Sequence, residues 1–280
     1  MRSIKAAFYT IIIAVPMLVN SCDSGLNIFS KSDDVQLGQE VDAEIRSKPT
    51  EFPIYQGDPS VKSYIRSNIF NQILASPQIE NKEIYPYQIE IIDQDVLNAF
   101  ALPGGYIYVY TGLLNYLDSE AALAGVLGHE IAHAELRHAT QRMTAYYGVS
   151  ILLSIILGEN PSQIAEIGAN LFVGLAFLAN SRSDENQSDE YSFEYLKDTR
   201  FYPGGVKFFF EKMRDDGLVS SNSSKVATFL STHPDPIDRI SETNQRLQNE
   251  GRPVLDYNAT GEGIFKTEYQ QNIKSKLGGG

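Results

Sequence analysis

Tryptophan is absent from the 280 residues, cysteine occurs once and histidine only four times. With Cys22 alone, no intrachain disulfide can form, and cysteine usage cannot report the redox compartment. A chain of this length buries enough surface to fold without such staples, so a metal found in it serves chemistry rather than stability. Positive charge is in deficit: 23 basic residues face 35 acidic ones, a net of −12. Arg2 and Lys5 are the only charges before Cys22, so a chain starting there carries 21 basic and 35 acidic residues, a net of −14. That balance argues against nucleic acid, whose binding rests on neutralising phosphates, and says little about a peptide substrate. Hydrophobic residues at 42% and charged residues at 21% exclude wholesale disorder.

What is present begins with a basic start, Met1 to Lys5, and an apolar run from Ala6 to Val19. The run is shorter than the roughly 20 residues that span a bilayer and contains Pro16, so it reads as an export signal rather than a membrane helix. Val19-Asn20-Ser21-Cys22 resembles a lipobox, which makes Cys22 the expected site of lipidation and the membrane a partner through that anchor. The expected location is the bacterial cell envelope, facing the periplasm or another extracytoplasmic space.

Further along, Leu37, Val41 and Ile45 recur at helical spacing, and Asp58-Pro59 opens a second helix carrying Val61, Ile65, Ile69 and Ile73. Tyr87 to Ile91 and Tyr106 to Tyr110 alternate and read as two strands flanking a turn. Helices are expected from about Ser119 to Tyr147, from Ser162 to Lys197, after Pro203 to about Gly217, and from Ile237 to Glu250 under an Asp235-Pro236 cap. Val149 to Leu157 and Ile167 to Ala179 are nearly free of charge and read as a buried helical hairpin or a surface that touches lipid or unfolded substrate. The fold class is therefore α+β, mainly helical, with a small β-sheet. A loose tail is expected over 252–280.

His129-Glu130-Ile131-Ala132-His133 is an HExxH sequence inside an alanine-rich, proline-free stretch. Residues i and i+4 share a helical face, so both imidazoles can point at one ion while Glu130 reaches the space beside it. A catalytic zinc needs a third protein ligand and an open position for water. Ala134 to His138 lack the glycine and histidine spacing of metzincins, and His138 lies one position off the ligand face, in a supporting or structural role. Glu185 and Asp189 could share a face, one binding the ion while the other accepts from a ligand histidine. An exposed acidic helix fits the same spacing.

Four blocks, Asn98 to Gly105 with the strand after it, His129 to His133, Ser181 to Asp189, and Thr232-His233-Pro234 followed by Arg239, resemble the HtpX and CAAX prenyl protease type of zinc metallopeptidases. The similarity is strongest to the periplasmic and lipoprotein bacterial branch, and spans about Leu37 to Leu247. Gln187-Ser188 departs from the Glu-Ala of many relatives. The resemblance implies a zincin-like domain over 35–251, between a tether at 22–34 after the signal peptide at 1–21 and the tail. It implies one zinc per chain, Glu185 as third ligand and Asp189 as its supporting acid. It also implies that His233 faces the metal, Arg239 lies nearby, and Ile107, Tyr108 and Val109 belong to an active-site edge strand that holds substrate. Some relatives carry a repeat domain after the peptidase, and recruitment by such a module is not expected here.

The expected function is zinc-dependent hydrolysis of peptide bonds in misfolded or unassembled envelope proteins, with Glu130 as general base. His233 either stabilises the oxyanion or blocks the zinc at rest. A metal-bound, chaperone-like binder that does not cleave is the rival, and an intact Glu130 speaks against it.

Overall fold

The computed structural model describes residues 25–148, 180–220 and 224–278. The signal segment, Cys22 and both charge-poor stretches, Val149 to Leu157 and Ile167 to Ala179, lie outside the described residues. Among the described residues no helix is long and apolar enough to cross a membrane.

Helix α1 (Lys31–Ser47) starts inside the segment read as a tether, because Ser30 and Asp33 form a reciprocal capping box. Its apolar stripe of Leu37, Val41 and Ile45 is buried. Gly38 lies on the same helix where a Cβ would stand 2.0 Å from the Pro103 carbonyl oxygen, so only glycine lets α1 rest on the turn at Pro103–Gly105. Helix α2 (Pro59–Ile65) runs through a π turn at Arg66–Phe70 into α3 (Asn71–Leu74), burying Val61, Ile65, Ile69 and Ile73 as the spacing predicts.

The sheet holds three strands, β1 (Gln88–Ile92), β2 (Ala99–Leu102) and β3 (Tyr106–Tyr110), in the order β1-β3-β2. β1 pairs parallel with β3, with Ile89 opposite Ile107 and Ile91 opposite Val109. β2 pairs antiparallel with β3 across the Pro103–Gly105 turn, with Ala101 opposite Ile107. The expected placement of Ile107, Tyr108 and Val109 on an edge strand is thereby corrected. β3 is the centre of the sheet, paired on both sides and buried at every residue. The edge on the hairpin side is β2. Alternation along β3 serves two cores: Ile107 and Val109 join the main one, while Tyr106, Tyr108 and Tyr110 pack with Leu37, Val41 and Ile45 of α1.

After α4 (Thr111–Tyr116), helix α5 (Glu120–Glu135) is buried from Glu120 through Ala134, as a central helix must be. It ends well before Tyr147. Arg137 takes φ 62°, a left-handed turn, and α6 (His138–Tyr147) sets off from it, so the single long helix is corrected to two. The Arg137 guanidinium holds this joint by donating to the Asp34 carboxylate and the Phe29 carbonyl.

Helix α7 (Arg182–Lys197) does not continue from the residues before it: Ser181 caps it in a box with Asp184. α8 (Val206–Asp215) follows Pro203, and α9 (Ser224–Thr232), unforeseen, leads to His233. α10 (Pro236–Asn249) has Asp235 at its start with φ 58° and no side-chain cap, since that carboxylate pairs with Arg182. The expectation of a loose tail is corrected as well. Ile264, Tyr269 and Ile273 are fully buried, the last helix α11 (Lys266–Asn272) packs on the domain, and Tyr269 donates to the Leu114 carbonyl at 2.7 Å.

Candidate metal centre

α5 and α7 lie side by side, and their contact brings the two motifs together. One donor atom from each of His129, His133, Glu185 and His233 falls within 4.8 Å of every other, and all four residues are buried. The two Nε2 atoms of His129 and His133 are 2.9 Å apart, and they stand 3.4 and 3.3 Å from Glu185 Oε2 and Oε1. Donors at 2.0–2.1 Å from a tetrahedral ion are separated by about 3.3 Å, so the two histidine–glutamate distances match a tetrahedral metal site and the histidine pair stands somewhat closer.

The outer hydrogen bonds settle which ring atoms face inward. His129 Nδ1 lies 2.8 Å from Asp189 Oδ1, so it carries the proton and donates, and Nε2 is left with a lone pair. His133 Nδ1 is 2.8 Å from His138 Nδ1, whose Nε2 is 3.3 Å from Gln187 Oε1. With Gln187 accepting, His138 donates through Nε2 and accepts from His133 through Nδ1, and His133 Nε2 is likewise free. Two imidazole lone pairs and a carboxylate thus face one another in a buried space, an arrangement that suits a cation. The turn at Arg137 explains how His138, off the ligand face of a continuous helix, reaches His133.

Charge follows the same logic. Burial opposes ionisation of Glu185, yet His233, Arg239 and His129 hold its carboxyl well below the usual range. Burial and Arg239 both disfavour a charged His129, but Glu185 and Asp189 outweigh them and push it up to about 9, so with no ion between the donors Nε2 carries a proton in place of the lone pair it would offer a metal. Burial together with His129 keeps His133 far below the ordinary imidazole value. Burial pushes Glu130 up despite His233 and His129. Asp189 is held low against burial by Arg239, whose Nε and Nη2 each lie 2.7 Å from its oxygens. Arg239 also reaches Glu185 Oε2 with Nη1 at 2.6 Å and lies over the Phe210 ring.

His233 follows α9, where Phe229 stacks on its ring with centroids 4.8 Å apart. Its Nδ1 is 3.0 Å from Glu185 Oε1 and its Nε2 is 3.8 Å from Glu130 Oε1. A cleft of about 300 Å³ opens beside Glu130, His133 and His233, bordered by Asn98 and Phe100 at the β2 edge and by Met143 of α6. Two of its residues were given no role by the sequence, although Asn98 opens one of the four motif blocks. Asn180, just before the Ser181 cap, donates to Glu185 Oε1 and is itself held by Arg142. Asn98 is buried with its Oδ1 unpartnered at the cleft. Ile107, Tyr108 and Val109 do not border this cleft, and Cys22 lies outside the described residues.

The model of peptidase family M48 matches residues 59–247, a span that contains both motifs and His233. The chain belongs to peptidase family M48. Among M48 relatives, a putative beta-barrel assembly-enhancing protease of Vibrio cholerae serotype O1 is 31% identical over 231 residues, covering 77% of this chain and 46% of that protein. The beta-barrel assembly-enhancing protease of Escherichia coli K12 is 27% identical over 238 residues, 81% of this chain and 47% of its own length. The chain spans about half the length of these two relatives. Metalloprotease LoiP of Escherichia coli K12 is 26% identical over 243 residues, 84% of this chain and 89% of that protein. The α+β, mainly helical architecture with its small sheet is thus that of an M48 zincin-like metallopeptidase domain.

Proposed function

We propose that this M48 domain is a zinc-dependent endopeptidase that cuts extended segments of misfolded or unassembled cell-envelope proteins. The observation that carries the reading is the convergence of His129, His133 and Glu185 on one point, with Glu130 beside it at the mouth of a cleft. His129, His133 and Glu185 would hold the ion, whose chemistry when bound is to make water acidic and to polarise a carbonyl. Glu130 takes the proton of the attacking water and delivers it to the leaving amine, a role that its raised pKa suits. Asp189 fixes the tautomer of His129, and Arg239 fixes Asp189.

Substrate is held as an added strand on β2, which among the described residues is the edge strand beside the cleft, rather than on β3. The unpartnered Oδ1 of Asn98 at the start of that edge can accept from a peptide N–H of such a strand. For His233, its packing among the donors favours the blocking role at rest over oxyanion stabilisation, so that substrate must displace it. The wider reading, an HtpX and CAAX prenyl protease type enzyme anchored through an acylated Cys22 on the extracytoplasmic side, is supported by the four motif blocks, the lipobox-like stretch and the similarity to the relatives named above. Casein digestion by the mature protein tests the core of it. Hydrolysis should require zinc, stop with chelator and be absent in Glu130→Gln, whereas zinc binding without hydrolysis in the wild type would favour the chaperone-like binder.

A further inference from the structure

Leu26 and Tyr146 are the most exposed large apolar side chains among the described residues, at 66% and 67%. They lie on two segments that are bonded together. Asn27 Nδ2 donates to Thr140 Oγ1 at 2.9 Å, the Ile28 amide donates to Thr144 Oγ1 at 3.4 Å, and Arg137 Nη2 donates to the Phe29 carbonyl at 2.5 Å. Residues 25–29 thus form a strap along α6, and Tyr147, with its ring 4.8 Å from that of Tyr146, extends the apolar end of the helix. Neither 25–29 nor 143–148 contains a charged side chain. In a chain of net charge −12, both exposed side chains thus stand on stretches free of charge.

We propose that this strap and the end of α6 are the surface by which the domain rests on its lipid bilayer. The proposal rests on the reading that Cys22 is acylated. Leu26 is four positions beyond Cys22, and an extended chain advances at most about 3.5 Å per residue, so its backbone lies within about 14 Å of that of the anchoring cysteine. Because the strap is bonded to α6, the end of that helix is drawn to the membrane with it. Tyrosine, with an apolar body and a polar tip, is a side chain that the headgroup layer accepts, whereas an acidic face would be repelled by anionic lipid. Arg137 and Met143 of the same joint and helix border the cleft, so the active-site mouth has one flank turned toward the bilayer. Membrane-proximal unfolded segments are the substrates such a posture favours.

The chain has no tryptophan, so Tyr146→Trp supplies a single fluorophore without background. The mature, full-length protein is placed in phosphatidylethanolamine and phosphatidylglycerol vesicles with and without brominated lipid. The emission of Tyr146→Trp should move to shorter wavelength and lose intensity to the bromines, and Leu26→Trp, a second probe of the same surface, should do likewise. Val254→Trp, exposed on the C-terminal segment, should do neither. The mass of the N-terminal peptide reports the anchor separately. Acylated Cys22 with both probes quenched no more than Val254→Trp overturns the membrane surface alone, while an unmodified Cys22 overturns the acylation reading and this proposal with it.

Discussion

Replacing Arg239 by leucine should destabilise the metal-free protein more than any single change in the apolar core around it. Arg239 is 3% exposed and bonds at 2.6–2.7 Å to two carboxylates, Glu185 and Asp189, that are each 1% exposed. Removing the cation leaves two buried anions with His129 as their remaining shared partner, and breaking buried pairs of this kind costs roughly 3–5 kcal/mol. For a domain of this size 1 kcal/mol moves Tm by about 2–4 °C, so the chelated variant should melt roughly 6–20 °C below the chelated wild type. Zinc should recover a large part of that loss. In the wild type Arg239 Nη1 competes for Glu185 Oε2, the same atom that faces His129, so adding zinc should raise Tm more in Arg239→Leu than in the wild type. Thermal unfolding followed by circular dichroism, with chelator and with one equivalent of zinc, measures both quantities. A chelated Arg239→Leu protein within about 1 kcal/mol of the wild type would refute the argument that these carboxylates depend on the guanidinium.

Glu185→Ala should lose zinc on dialysis, and Asp189→Ala should bind it about 10- to 100-fold more weakly; metal analysis of the dialysed proteins separates the two. His233→Ala should leave zinc binding intact and speed casein digestion, whereas a fall in kcat would reinstate the oxyanion role. Asn98→Ala should raise KM for casein with kcat nearly unchanged, as expected for a residue that binds ground state and transition state alike, and an unchanged KM would remove Asn98 from the substrate edge. Burial pushes the Glu120 carboxyl above its ordinary value, outweighing Tyr64 and Arg200. A raised folded pKa means that this group's contribution to stability is present below the unfolded value and lost as pH rises through the folded one. Urea titrations from pH 4 to 7 should therefore shift the stability difference in favour of Glu120→Gln as pH rises, and a shift the other way would contradict it.

The metal centre was legible wherever local periodicity decides position. His129 and His133 are one turn apart on a helix that no proline interrupts, and Glu185 and Asp189 repeat the same spacing, so each pair meets with no knowledge of the rest of the chain. What failed to show was decided by long-range pairing. Ala99 to Leu102 is short and uniformly apolar, without alternation, and nothing in it announces that among the described strands this one rather than Tyr106 to Tyr110 stands at the edge. The turn at Arg137 was invisible because arginine does not ordinarily mark a left-handed residue. It is stabilised by Asp34, about a hundred positions earlier, and without it His138 could not reach His133. Asn180 is likewise an ordinary polar residue until α7 folds back on α5. Ile264, Tyr269 and Ile273 are too sparse among glycines and polar residues to look like core, and only the surface they meet makes them so.

That last contact bears on when a nascent chain can become a protease. The backbone carbonyls of Ile264 and Phe265 accept from the amides of Ala121 and Glu120, at 3.2 and 3.4 Å, and so complete the first turn of the helix that carries HExxH, where Ser119 already caps the Ala122 amide. A chain emerging from N- to C-terminus has His129, Glu130, His133, Glu185 and His233 in hand well before residue 264 appears, yet the helix bearing three of them still lacks its end. The arrangement places completion of this helix start at the close of synthesis. An intermediate arrested short of residue 264 should therefore bind zinc loosely and spare the proteins around it.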